Sequence, residues 1–99
     1  MRVKGFMKAK KRSPFHPGEI LQEDFLIPLG VTQTKLASHL KYKPGKINEI
    51  INGKRGITPQ MALSLSDALG TSPELWINLQ TNYDLWHAKK EHDSIKRIA

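Results

Sequence analysis

Ninety-nine residues make one domain rather than two, long enough to bury a modest core without staples. The absence of cysteine excludes disulfides, thiolate nucleophiles, Cys-ligated zinc and iron–sulfur clusters, and no apolar run approaches the roughly 20 residues that cross a bilayer. A net charge of +7, from 16 Lys+Arg against 9 Asp+Glu, favours a polyanionic partner.

The cations are segregated. Residues 1–12 carry Arg2, Lys4, Lys8, Lys10, Lys11 and Arg12 and no acid. Residues 31–55 carry Lys35, Lys41, Lys43, Lys46, Lys54 and Arg55 against the single acid Glu49. From Gly56 to Trp86 there is no Lys or Arg, only Asp67, Glu74 and Asp84. A uniformly solvated surface would mix the signs. The first residues run into Lys8–Arg12 instead of an apolar stretch, so no secretory signal is expected and the cytoplasm is the expected compartment.

Residues 1–14 lack periodicity and read as a flexible basic arm, either a solubilising tail or a nucleic-acid contact. Pro17 suits the first turn of a helix and Glu19 complements its dipole. Ile20, Leu21, Phe25 and Leu26 then recur at helical spacing until Pro28 and Gly30. Thr32 is an N-cap, with Val31 placed to staple onto Leu36, and the second helix turns Leu36, Ala37 and Leu40 inward. Lys43, held extended by the proline after it, opens a third helix at Pro44 without a capping side chain. Ile47, Ile50 and Ile51 form its buried face, and Asn52-Gly53 ends it in a left-handed cap. The fourth helix opens at Thr58-Pro59, packs some combination of Met61, Leu63, Leu65 and Leu69, and ends at Gly70. The fifth opens at Ser72-Pro73-Glu74 and carries Leu75, Trp76, Leu79, Tyr83 and Trp86. The expected fold class is an all-α five-helix bundle. Residues 1–14 form the arm, 15–87 the domain, and 88–99 a charged tail.

The middle of the chain reads as a helix-turn-helix. Helices over 33–40 and 44–52 are joined by a short turn, with Ala37 where they must cross, Leu36, Leu40, Ile47 and Ile50 locking them, and Tyr42 plugging the turn. With those residues inward, Lys43, Gly45, Lys46, Asn48 and Glu49 fall on the outward side, where a helix presents side chains to base edges in a major groove. Lys43 and Lys46 read as DNA contacts or as solvated cations, and the local charge excess favours contact. Asn48 either reads adenine or is simply exposed; Glu49 either accepts from a cytosine amine or joins a local salt bridge. Gly45 has only its backbone to offer, by close approach. Gln33, Lys54 and Arg55 are the phosphate candidates, and Asn52 is a phosphate ligand or a helix cap.

These residues resemble the HigA-type antitoxins, also called virulence-associated protein I, a branch of the Xre/Cro-like helix-turn-helix family. The matching segments begin with His16-Pro17-Gly18-Glu19-Ile20-Leu21, the stretch Gln33 to Ile50, and Ile51-Asn52-Gly53-Lys54-Arg55. They continue through Ile57-Thr58-Pro59, Met61-Ala62-Leu63, the run Ala68 to Trp76, Asn78-Leu79-Gln80 and Tyr83-Asp84-Leu85-Trp86. The resemblance implies a five-helix repressor-like (lambda/Cro-type) fold, a homodimer on an inverted repeat at its own promoter, and a cognate HigB-type mRNA-cleaving toxin held inactive in the complex. It implies no cofactor. The chain departs from the pattern at Lys41, where the turn usually has glycine. It departs again at Lys43, in place of a capping Ser or Thr, and at Pro44-Gly45 among the base-reading positions.

Other chemistry finds no support. His16, His39, His87 and His92 include no pair at the i, i+4 spacing of a helical metal site, and Glu23-Asp24 point different ways on one helix. Trp76, Leu79, Tyr83 and Trp86 read most simply as core, yet Ile77 and Leu85 leave apolar surface on the other side, so the fifth helix is the expected dimer interface, with Trp76, Ile77, Leu79, Tyr83, Leu85 and Trp86 as its candidates. Three function classes follow: an autorepressing antitoxin, a stand-alone Xre-family transcriptional regulator without a toxin, and a protein-sequestering module that has lost operator binding.

Overall fold

The computed structural model describes residues 13–99; residues 1–12 of the expected basic arm lie outside the described residues. Five helices and no strand are found among them. α1 is continuous through three segments, Pro17–Ile20, Leu21–Leu26 and Ile27–Leu29, and is followed by α2 (Gln33–Leu40), α3 (Pro44–Ile51), α4 (Pro59–Leu69) and α5 (Pro73–Glu91).

The starts are set by side-chain caps. Thr32 Oγ1 accepts from the Lys35 amide at 3.1 Å, Thr58 Oγ1 from Met61 at 3.2 Å and Ser72 Oγ from Leu75 at 3.2 Å. Each supplies an acceptor for one of the amides that a helix start leaves unpaired, for about 1 kcal/mol. α3 alone among these starts without one: Lys43 is extended and makes no capping hydrogen bond.

The ends share one device. After α1, α2 and α3 a residue in the left-handed region turns the chain, its amide bonding three residues back and the next amide five back. For α3 these bonds are Gly53 N–H to Ile50 O at 3.1 Å and Lys54 N–H to Glu49 O at 2.8 Å. The turning residues are Gly30, Lys41 and Gly53, and Gly70 takes the same conformation after α4. Lys41, at φ 64°, is the one non-glycine with positive φ among the described residues.

α1 differs from expectation at Pro28, which lies inside the helix rather than ending it. The middle segment is π-helical, and the Ile27 amide bonds the Gln22 carbonyl, five residues back. In a regular α-helix the Pro28 ring would press on the carbonyl four residues earlier; the wider turn gives it room. The helix then ends at Gly30.

The core is Leu21 and Leu26 of α1, Leu36 and Ala37 of α2, Ile47 and Ile50 of α3, Met61, Ala62 and Leu65 of α4, Trp76 of α5, and Ile57 from the loop before α4. Burying side chains of this size is worth about 1.5–3 kcal/mol each. Of the fourth-helix candidates, Met61 and Leu65 point inward and Leu63 is half exposed. Trp76 tilts against Phe25 with ring centroids 5.4 Å apart and donates from Nε1 to Thr71 Oγ1 at 2.8 Å, so its one polar atom is paired inside the core.

α5 runs to Glu91, four residues beyond the point where its apolar pattern ends. Ala88, Lys89, Lys90 and Glu91 are good helix formers, lysines suit the negative end of the dipole, and Lys90 Nζ lies 4.4 Å from the centroid of the Trp86 ring one turn earlier. Periodicity sees none of these. No helix of the described residues is long and apolar enough to cross a membrane.

Candidate nucleic-acid interface

α2 and α3 pack as the expected pair. Leu36, Ala37, Ile47 and Ile50 are all buried, and Tyr42 fills the turn, half-buried, its hydroxyl 3.3 Å from Ser64 Oγ of α4. With both isoleucines committed inward, the opposite side of α3 faces solvent: Lys43, Gly45, Asn48, Glu49 and Asn52 are exposed.

Three amide side chains form one row across this surface. Asn48 Nδ2 donates to Gln33 Oε1 at 3.0 Å, bridging α3 to the start of α2, and Asn52 Nδ2 donates to Asn48 Oδ1 at 3.1 Å. The row fixes side-chain directions and leaves amide donors on Gln33 and Asn48 unspent. An asparagine with a fixed amide plane is suited to the paired donor and acceptor of adenine in the major groove.

Glu49 is held by Arg55. Arg55 Nε and Nη2 both approach Glu49 Oε1 at 2.8 Å, with each side chain about half exposed at 48%. An exposed pair of this kind is worth about 0–1 kcal/mol, weak enough for a phosphate to draw the guanidinium away. Of the two readings open for Glu49, the free chain shows the local salt bridge. Lys46 is half-buried with Nζ 4.3 Å from the centroid of the Tyr42 ring, a cation–π contact that braces the turn. Gly45 stands in the open, with no atom within 4 Å of where a Cβ would be. Lys43 and Lys54 are exposed at opposite ends of the helix.

The surface is held from behind by contacts that no spacing rule reveals. A Cβ on Gly18 would lie 1.7 Å from the Ile50 carbonyl oxygen, so the first turn of α1 rests directly on the backbone of α3. Next to it His16 caps α1, its Nδ1 accepting from the Gly18 amide at 2.9 Å, and meets the Tyr83 ring edge-on at 4.9 Å. Nδ1 therefore carries no proton and Nε2 does. Burial pushes the His16 imidazole below its ordinary range, against the opposite pull of Asp84 and Glu19. Gln80 of α5 fixes the loop after α3: its Oε1 accepts from the Ile57 amide at 2.7 Å while its Nε2 donates to Asp84 at 2.9 Å.

Of the residues expected at a dimer interface, Trp76 is fully buried in this chain's own core and offers nothing to a partner. A small bundle has few large side chains with which to fill its centre, and Trp76 is the largest that it buries completely. Ile77, Leu79, Tyr83 and Trp86 are half-buried, Leu85 is 51% exposed, and Tyr83 and Trp86 belong to a row of rings with His16 and His87.

A helix pair with a polar, solvent-facing second helix and cations at both ends defines a helix-turn-helix protein. The helix-turn-helix family model matches residues 23–76, and the chain belongs to that family. It is 45% identical over 83 residues to virulence-associated protein I of Dichelobacter nodosus, covering 84% of this chain and 77% of that one. Among solved structures, the antitoxin GraA in complex with its operator superposes with a TM-score of 0.81 at 39% identity, over 89% of this chain and 94% of that one. The Pseudomonas aeruginosa antitoxin HigA with the higBA promoter superposes at 0.79 and 35% identity, over 87% and 99%.

Proposed function

We propose that this chain is an operator-binding antitoxin: a homodimer that represses its own operon and neutralises an mRNA-cleaving toxin of the HigB type. The observation that carries the DNA half is the row Gln33–Asn48–Asn52 on the exposed side of α3, together with relatives of the same fold whose structures contain operator or promoter DNA. α3 enters the major groove. Asn48 contacts base edges, Lys43 lies beside it, and Gly45 lets the backbone come close. Gln33, Asn52, Lys54 and Arg55 hold phosphates, Arg55 by leaving Glu49. Two copies related by a dyad would place their α3 helices about 34 Å apart, one turn of duplex.

The dimer surface is assigned to α5, through exposed Leu85 with Ile77, Leu79 and Trp86. That side belongs to the cation-free half of the chain, which does not need to face phosphates. The antitoxin half rests on the relatives' names. The family consists of DNA-binding regulators rather than enzymes, and the chain works where bacterial DNA lies, in the cytoplasm.

Selection from random duplexes tests the reading, and an enriched inverted repeat is the expected result. Co-expression with a ribonuclease of the HigB type tests the antitoxin half. Relief of growth arrest supports it, and arrest that persists leaves a stand-alone regulator.

A further inference from the structure

α5 ends at Glu91, and residues 92–99 continue without regular structure, every one of them exposed. Among them Ile95 is 84% exposed and Ile98 wholly so, more than any other large apolar side chain of the described residues. An apolar cleft of about 200 Å³ stands open elsewhere, between the end of α1, α2 and the end of α4. Leu29, Val31, Leu36 and Leu69 line it, and Leu29 is 59% exposed. Lys35 and His39 of α2 border the same cleft, while His39 and Asp67 border the one adjoining it. The walls are therefore cationic on the α2 side and acidic on the α4 side.

The chain's own tail is badly placed to fill this cleft. Leu69 sits at the end of α4 that leads through Gly70 into α5, whereas the tail starts at the far end of that helix, 19 residues later, about 28 Å along the axis. A second copy removes the difficulty. Ile77 and Leu85, both assigned above to the dimer surface, share one stripe of α5, and their midpoint Thr81 lies one residue from the middle of the helix. Two such helices crossing antiparallel about a dyad at Thr81 set Ile77 of each copy against Leu85 of the other. In that register Glu91 of one copy lies level with Thr71 of the other, and its tail emerges beside Gly70 and Leu69.

We propose that residues 92–99 of each copy cross the dimer and dock in the other copy's cleft between α1, α2 and α4, where Ile95 and Ile98 cover Leu29, Val31 and Leu69. The inference rests on the α5 dimer reading and adds to it a second, exchanged contact. The tail brings both signs, Asp93 with Lys96 and Arg97, to walls that carry both signs. A polyanion would meet Asp67 there, and an all-cationic partner would meet Lys35 and His39. Once α5 has paired, docking is intramolecular and gains from the high local concentration of the tail.

The test compares the full-length parent with two full-length variants by sedimentation equilibrium: a tail variant, Ile95→Ser with Ile98→Ser, and a cleft variant, Leu29→Ser. All three positions are exposed, and matching circular dichroism shows that the fold is intact. Each docking is expected to tighten the dimer about tenfold, the effect of burying roughly one isoleucine side chain. Either variant alone loses both dockings, so its dimer Kd should rise about a hundredfold. In an equal mixture the heterodimer keeps one docking, the intact tail of the cleft variant in the intact cleft of the tail variant. Its Kd should lie only about tenfold above that of the parent. Variants that dimerise like the parent overturn the proposal. A mixture without preference for the heterodimer also overturns it, since that is the result for a tail docked on its own chain. A parent that stays monomeric at every concentration fails one step earlier, at the dimer reading, and takes the proposal with it.

Discussion

The Ile50 carbonyl oxygen stands where a side chain on Gly18 would begin, 1.7 Å from the position of its Cβ. The neighbour is backbone inside a helix rather than the tip of a flexible side chain, so it cannot swing aside. Gly18→Ala must therefore push α1 and α3 apart. Overpacking of this kind costs about 1–3 kcal/mol. Denaturant unfolding should show that destabilisation, and the folded fraction should bind DNA more weakly because α3 is displaced. Unchanged stability would show that the two helices are not in direct contact.

Lys41 carries a strain that glycine would remove. A non-glycine residue in the left-handed region costs about 1–2 kcal/mol, partly offset by the larger entropy that glycine loses on folding. Lys41→Gly is expected to raise stability by up to about 1 kcal/mol without altering which sequence is bound, since the residue lies in the turn. A destabilised variant would mean that the lysine side chain makes a contact worth more than the strain.

Gly45 separates two demands on α3. In an exposed helix alanine outranks glycine by about 1 kcal/mol, and no atom blocks a Cβ here. Gly45→Ala should therefore melt higher yet bind the selected duplex more weakly, because the added methyl holds the backbone away from DNA. A variant that gains stability and keeps its affinity would remove Gly45 from the interface.

His16 ties stability to pH. Its imidazole must stay neutral at Nδ1 to accept from Gly18, and burial holds its pKa below the ordinary 6.5 that the unfolded chain retains. As pH falls through 6.5 the unfolded state takes up the proton first. The contribution of His16 is thus complete above that value, declines as pH drops from it towards the lowered folded value, and then levels off. In His16→Asn the side-chain oxygen still caps the helix but does not titrate, so chemical denaturation as a function of pH should lose this decline. A decline of equal size in the variant would assign it to other groups.

What the sequence discloses and what it withholds divide along physical lines. Helix starts are local chemistry, so Thr32, Thr58 and Ser72 announce them, and the uncapped start at Lys43 is legible for the same reason; the unusual turn at Lys41 is legible only against the family's pattern, which has glycine there. The inward faces of α2 and α3 follow from their spacing, and with them the outward face that carries Asn48. Contacts between distant segments leave no such mark. Nothing near Gly18 points to Ile50, nothing near Gln80 points to Ile57, and nothing before Pro28 announces the π-helical segment that carries α1 through it. The pairing of Glu49 with Arg55 depends on the path of the loop after Gly53. Helical spacing alone lets Trp76 serve either the core or a dimer surface, and only the packed bundle shows that the core needs its volume.

The most direct test of the DNA-reading surface is a comparison of Asn48→Ala with the double variant Lys54→Ala, Arg55→Ala on the selected duplex and on its single-base substitutions. Asn48→Ala is expected to lose discrimination at one base pair in each half-site, about 1–3 kcal/mol. The double variant should weaken on all duplexes alike with a salt slope flatter by about 2. Weakening spread evenly over every duplex for Asn48→Ala, or a double variant with unchanged affinity and slope, would contradict the account.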